Sequence, residues 1–347
     1  MHPFQCPQCS GTVFFENDQC TRCGSLLGVA PASASMLGWA AGSPPPQPAC
    51  ANRDTEARCN WMCDSGDGQA LCRSCRLTQV LPPLDVPGNG ARWRTIEQAK
   101  RRLVFTLLGL GLGLEPKTGP DDTQGLAFHL LASQSGGPPV KTGHENGTIT
   151  LDVAEADDDH REAERVRLNE PTRTLLGHLR HETAHYLQWR WIAGTAADQT
   201  CRDAFGDETA DYAQALARHY AEGPPADWPQ QYVSAYASAH PWEDWAETCA
   251  HYLLMLDAVQ TAGAWGLQLN GHLGVAVEPI ALDDAPQARD LVLQHWLPVA
   301  QFLTAMNRSL GQRDSYPFLL PPAVLHKLEV VQTLLRGAAG APAPQPG

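Results

Sequence analysis

The run Leu179-Arg180-His181-Glu182-Thr183-Ala184-His185-Tyr186-Leu187 constrains this chain more than any other stretch. It contains H-E-x-x-H, and its surroundings predict a helix. Asn169 can cap the start, Pro171 suits the first turn, and Gly194 can follow the end. Leu175, Leu176, Leu179 and Leu187 recur at helical spacing, so one face is expected in a core. Residues four apart share a helix face, and His181 and His185 can therefore offer a ring nitrogen each to one Zn2+. Glu182 stands beside them, where a carboxylate can take a proton from a zinc-activated water.

A catalytic zinc usually takes three protein ligands and leaves a fourth position for water. The stretch from Ser234 to Leu254 is the place to look for the third. Pro241 can open a helix there, with Trp242, Glu243 and Asp244 in its first turn, where carboxylates suit the helix dipole. Glu243, Glu247 and His251 then form one polar stripe on a helix otherwise rich in Trp, Ala, Tyr and Leu. Such a stripe is either a solvated face or a set of buried carboxylates, and buried carboxylates need a partner.

Cysteines dominate the beginning of the chain. Cys6-x-x-Cys9 and Cys20-x-x-Cys23 are ten residues apart. Each pair can form a knuckle, and two knuckles close a tetrahedral zinc site of four thiolates. Thr12, Val13, Phe14 and Phe15 between them predict a strand, which gives a zinc ribbon. Two redox pairs are the alternative, but neither opens a helix in a βαβ unit. Cysteines 50, 59, 63, 72 and 75 offer five candidates for four further positions, with Cys50 and Cys63 competing for one place.

These residues together resemble known families. Glu243-x-x-Ala246-Glu247, with Tyr236 seven residues upstream, resembles the third-ligand helix of gluzincin metallopeptidases of the anthrax lethal-factor type. The resemblance implies Glu243 as zinc ligand, Glu247 as the group that orients a ligand from behind, and Tyr236 as hydrogen-bond donor to the oxyanion. The whole chain is similar to a bacterial family of zinc-binding metallopeptidases with a zinc-ribbon domain. That similarity implies Cys50, Cys59, Cys72 and Cys75 as the second structural site, with Cys63 a spare thiol. Glu208 is the rival third ligand, at a distance from His185 like the shorter spacing of thermolysin-like enzymes. Gluzincins also place a small sheet beside the HExxH helix, and an edge strand of such a sheet can hold an extended peptide. Thr148 to Val153 is a candidate for that edge, or else an internal strand.

The remaining features set the class. The fold expected is α+β, mostly α: a gluzincin-like domain over 90–336 behind two small four-cysteine zinc modules at 1–30 and 50–80. A Pro- and Ala-rich linker over 31–49 would join the modules, and a disordered tail would follow over 337–347. In the helix expected from Ala91, Trp93, Ile96, Ala99, Leu103 and Leu107 face a core. Arg92, Arg94, Lys100, Arg101 and Arg102 form a basic stripe, solvated or paired with acids. A net charge of −13 argues against nucleic acid as the main ligand. There is no apolar run long enough to cross a bilayer and no basic, then apolar, leader at the N-terminus. Eleven cysteines, mostly in C-x-x-C pairs, then favour metal in a reducing cytoplasm over disulfides.

The functional expectation is a cytoplasmic zinc metallopeptidase with one catalytic and two structural zinc ions. Glu182 would be the general base and a peptide or protein the substrate, with a further protein partner conceivable at the ribbons. Two other classes compete with it. One is a zinc-ribbon module that binds protein or nucleic acid and carries a vestigial HExxH; the other is a hydrolase of non-peptide amides, which needs the same water and oxyanion support. A purely structural zinc has no use for Glu182, and its presence beside both histidines favours the enzyme.

Overall fold

Cysteine spacing organises the first part of the computed structural model, whose described residues are 3–66, 68–133, 138–167, 170, 173–269 and 274–339. Two units divide the chain: Met1–Leu108 with Leu114–Leu179, and Gly109–Gly113 with Arg180–Gly347.

In the first unit, β1 (Phe4–Gln5) and β2 (Thr12–Val13) pair antiparallel between the first cysteines. A second hairpin, β3 (Leu26–Ala30) with β4 (Ser35–Trp39), follows at once. The segment expected as a linker is therefore partly a strand. Met36 and Trp39 are buried, and the Arg53 guanidinium lies 4.8 Å over the Trp39 ring. Alanine-rich composition hid this, because the two large apolar residues that hold the strand are diluted by small ones. Backbone bonds from Val29 to Asn60 and from Met62 to Val29 carry the ladder on to the segment that bears Cys59. Gly28 is needed in that ladder, since a Cβ there would meet Met62 Sδ at 2.3 Å.

Next come β5 (Thr78–Val80) and α1 (Asn89–Gly109). Trp93, Ile96, Leu103 and Leu107 are buried as expected, but so are Lys100 and Arg101. Their place in the basic stripe is corrected: Lys100 Nζ donates to Glu97 Oε1 at 2.8 Å and to the Thr78 hydroxyl. The rest of the stripe pairs with acids, Arg92 with Asp157, Arg94 with Glu56 and Arg102 with Glu16. The strands β6 (Ala127–Leu131), β7 (Gly143–Glu145) and β8 (Thr148–Asp152) complete a sheet in the order β5-β6-β8-β7. β8 pairs on both sides, parallel to β6 and antiparallel to β7, so it is internal and not the edge. Side-chain alternation reports the faces of a strand, whereas lateral position depends on backbone pairing that the alternation does not encode. α2 (Asp158–Arg167) follows.

The second unit is helical apart from one short hairpin. It holds most of α3 (Leu175–Trp191), then α4 (Asp198–Phe205), α5 (Tyr212–Glu222) and α6 (Trp228–Gln231). A 3-10 turn, Tyr236–Ala239, leads into α7 (Pro241–Ala264), which is buried nearly all round and forms the core of this unit. A hairpin of β9 (Gln268–Leu269) and β10 (Val275–Ala276) precedes α8 (Ala288–Asp290) and a π turn (Leu291–Trp296). Behind these come α9 (Leu297–Ser309) and α10 (Pro322–Ala339). Gly206 at φ 98° ends α4, and Asp211 caps the start of α5 at the Gln214 amide. α10 runs through Ala339, past the boundary expected at 336. The proposed caps Asn169 and Pro171 and the tail 340–347 lie outside the described residues. Among the described residues no helix is long and apolar enough to cross a membrane.

Candidate metal centre and active site

Three groups of potential ligands converge among the described residues: Cys6, Cys9, Cys20 and Cys23; Cys50, Cys59, Cys72 and Cys75; and His181, His185 and Glu243. In the first, Cys6 and Cys23 sulfurs are 3.6 Å apart and those of Cys9 and Cys20 are 3.7 Å apart. In the second, the Cys59 and Cys72 sulfurs are 3.7 Å apart. Four sulfurs placed tetrahedrally about 2.3 Å from one centre lie about 3.8 Å from each other, whereas a disulfide needs about 2 Å. The donor sets fit zinc. Cys50 belongs to the second group; Cys63 is buried outside it. At the first, the Ser25 hydroxyl pulls the Cys23 thiol down to about 6, toward the thiolate a metal requires.

The third group is built by α3 and α7. His181 and His185, one turn apart, bring their Nε2 atoms to 3.2 Å. Glu243 Oε2, from the first turn of α7, lies 3.0 Å from His181 Nε2 and 3.6 Å from His185 Nε2. Ligands about 2.0–2.1 Å from a tetrahedral ion stand about 3.3 Å apart, which matches this triangle. Glu243 Oε2 and His185 Nδ1 are buried with no hydrogen-bond partner among the described residues. A buried carboxylate oxygen aimed at two imidazole nitrogens is an orphan without an ion between them.

Around this triangle the side chains are held from behind. His181 Nδ1–H donates to Glu247 Oε1 at 2.7 Å, which fixes the tautomer and leaves the Nε2 lone pair facing inward. Glu247 is itself anchored by the Ser234 hydroxyl at 2.6 Å. Tyr212 OH donates to Glu243 Oε1 at 2.6 Å, so only Oε2 of that carboxylate is left for a ligand. Trp245 Nε1 donates to Ala184 O at 2.8 Å, and Arg180 pairs with Asp257, tying the two helices in register. His240 caps α7: its Nδ1 accepts from the Trp242 amide, so its Nε2–H donates to Ala210 O. It is structural, as is His251, whose ring stands 2.7 Å from the Tyr316 hydroxyl.

Burial opposes charge on Glu243, but the two histidines hold it well below the usual carboxylate range. Burial likewise works against Glu247, and contact with His181 brings it down to about 2. Conversely, burial lowers His181 while Glu243 and Glu247 raise it by more, leaving it well above an ordinary histidine. A cation is wanted at this point, whether a proton or a metal. Tyr236 and Tyr212 are both pushed well above the usual phenol range, by burial first and by the negative charge of Glu243 second. The Tyr236 ring is 6.1 Å from the His181 ring. Glu182 is buried beside the histidines on α3. Glu208 is not in the triangle; it pairs with Arg202 at 2.7 Å.

The sequence by itself gives no role to Tyr212 or Ser234, because no spacing rule links Tyr212 to Glu243 or Ser234 to Glu247.

The family model described as "Putative zinc-binding metallo-peptidase" matches residues 89–334, and one described as "zinc-ribbon domain" matches residues 3–86. The chain belongs to the first family. It is also 43% identical over 337 residues to uncharacterized proteins of Mycobacterium bovis and of two Mycobacterium tuberculosis strains, covering 96% of this chain and 95% of each relative. No solved structure matches. Zinc binding is thus supported by the family and by the geometry of the cysteine and histidine clusters.

Proposed function

We propose that this member of the family is a zinc-dependent metallopeptidase of the gluzincin type. The observation that carries the reading is the triangle of His181 Nε2, His185 Nε2 and Glu243 Oε2, buried and completed by no protein hydrogen bond to Glu243 Oε2. Unlike the cysteine groups it offers three donors, leaving a position for a reacting molecule. Held by His181, His185 and Glu243, a zinc ion would supply Lewis acidity for a bound water and for the scissile carbonyl. Glu182 accepts the proton of the attacking water on its carboxylate and hands it to the leaving nitrogen. Tyr236, kept protonated by burial, donates from its hydroxyl to the oxygen that gains charge. Glu247 holds the His181 ring in orientation, and Tyr212 does the same for Glu243. The two cysteine groups serve as structural zinc sites.

Glu182→Gln tests this directly. The variant should keep its zinc, measured by atomic emission, and lose cleavage of a peptide library. Cleavage at the wild-type rate would remove Glu182 as the base.

A further inference from the structure

A half-open depression of about 280 Å³ lies inside the second unit, with most of its lining exposed to solvent. One wall is α5, through Ala215, Arg218, His219 and Glu222; the other is the 3-10 turn, through Ser238 and Ala239. Both walls also supply the metal triangle with a tyrosine. α5 begins with Tyr212, bonded to Glu243, and the turn begins with Tyr236, beside His181. The His219 ring packs edge-on against Tyr236 with centroids 6.1 Å apart, linking the cavity to the oxyanion donor.

The helix orders the lining by distance from the centre. Tyr212, Ala215, His219 and Glu222 fall on one face, with Arg218 next to it. At 1.5 Å per residue, Arg218 lies about 9 Å along the axis from Tyr212, and Glu222 lies about 15 Å away. Ala215 adds no bulk at the near end. Burial lowers the pKa of His219, so the ring stays neutral and adds no charge. Arg218 is the nearest formal charge in the cavity to the reacting atoms. Arg218 and Glu222 are both exposed to solvent, and among the described residues neither side chain has a hydrogen-bond or ion-pair partner, so Arg218 is free to take an incoming carboxylate. Elsewhere in this unit arginines near carboxylates are paired, as Arg202 is with Glu208.

We propose that this cavity is a substrate subsite in which Arg218 receives an acidic side chain, aspartate or glutamate, of a peptide near its scissile bond. Guanidinium forks bind carboxylates in two parallel hydrogen bonds, so the charge also fixes the position of the side chain. Glu222, one turn further out, faces the next outward part of the peptide and disfavours a second acid there. The inference rests on the peptidase reading for its reaction, but binding can be read without turnover.

The test uses the full-length zinc-loaded protein carrying Glu182→Gln, and a positional-scanning library of capped peptides. Binding is measured with Arg218 intact, with Arg218→Gln and with Arg218→Glu; cleavage of the same library is followed in the matching variants that keep Glu182. Acidic residues at one position should bind 10-fold or more better than their amides. Arg218→Gln should abolish that preference, and Arg218→Glu should turn it toward lysine and arginine. Such binding without any cleavage by wild type would keep the subsite and remove the peptidase. Cleavage by wild type with an acid preference unmoved by Arg218, or lost only in Glu222→Gln, would overturn the subsite and keep the peptidase. No peptide bound or cleaved would overturn both.

Discussion

The cysteine clusters and the His181, His185, Glu243 triangle are built on opposite plans. Each cysteine group offers four sulfurs from tight turns and short hairpins, and the second group is wholly buried. The triangle offers three donors from two long helices, with two of them held in place by a neighbour: Glu247 for His181, Tyr212 for Glu243. A closed set of four has no vacancy for chemistry and gives its binding energy to folding; an open set of three relies on a scaffold that folds by itself. α7 is that scaffold, buried nearly all round and fixed to α3 through Trp245 and Arg180. On the proposed reading, the same ion would serve as core in one unit and as reagent in the other.

The comparison breaks most readily at Cys72. Cys72→Ser should unfold the cysteine-bearing unit, since structural zinc in small modules is worth on the order of 10 kcal/mol. His181→Ala with His185→Ala should instead remove one zinc of about three and leave the thermal transition of that unit in place. Calorimetry with metal analysis decides, and equal loss of folding in both variants would erase the distinction between closed and open sites.

A smaller effect is expected from Glu182→Gln, a fall of roughly 10³-fold in kcat/KM, in the range for general base catalysis. Zinc content should not change. Tyr212→Phe frees one carboxylate oxygen of Glu243, and the expected cost is roughly 10-fold in zinc affinity by competition with a chelator. Unchanged affinity would show that Glu243 needs no support from behind.

A further prediction sharpens the contrast by pH. Burial raises the pKa of Glu155, but His178 and Arg173 more than offset this and bring it to about 2. Its folded pKa is depressed, so its stabilisation is present above the ordinary value of 4.5 and is lost as pH falls toward 2. Glu155→Gln should cost about 2 kcal/mol at neutral pH, screened by partial solvent access, and the difference from wild type should vanish across that window. Urea titrations from pH 7 to pH 2 measure it. The cysteine clusters respond to acid in the same direction, through protonation of thiolates, so zinc release must be followed in parallel. The smallest effect expected is kinetic: a chelator should draw zinc faster from the first cysteine group, where Cys23 is exposed, than from the buried second group.

Much of the site was legible along the chain. His181, Glu182 and His185 depend on helical period alone, and Cys6, Cys9, Cys20 and Cys23 on knuckle spacing, both local properties. Glu243 came from a resemblance rather than from spacing, because the long connection between α3 and α7 carries no geometric rule. The strand at 35–39 and the burial of Lys100 were not legible, and the choice between edge and interior for β8 stayed open, for the same reason: each is decided by a partner outside the local stretch.

What the sequence determined by itself, then, is the chemistry on offer: one set of four thiols, five candidates for a second, an imidazole pair one turn apart and a carboxylate beside it. Between Glu243, which the resemblance favoured, and its rival Glu208, the tertiary structure brings Glu243 to the histidines and leaves Glu208 on Arg202. It also decided that Tyr212 restrains that acid and that Arg218 faces a cavity without a partner among the described residues. The physical reason is that local period fixes which side chains share a face, whereas the partner of a buried charge is set by packing between elements far apart in the chain.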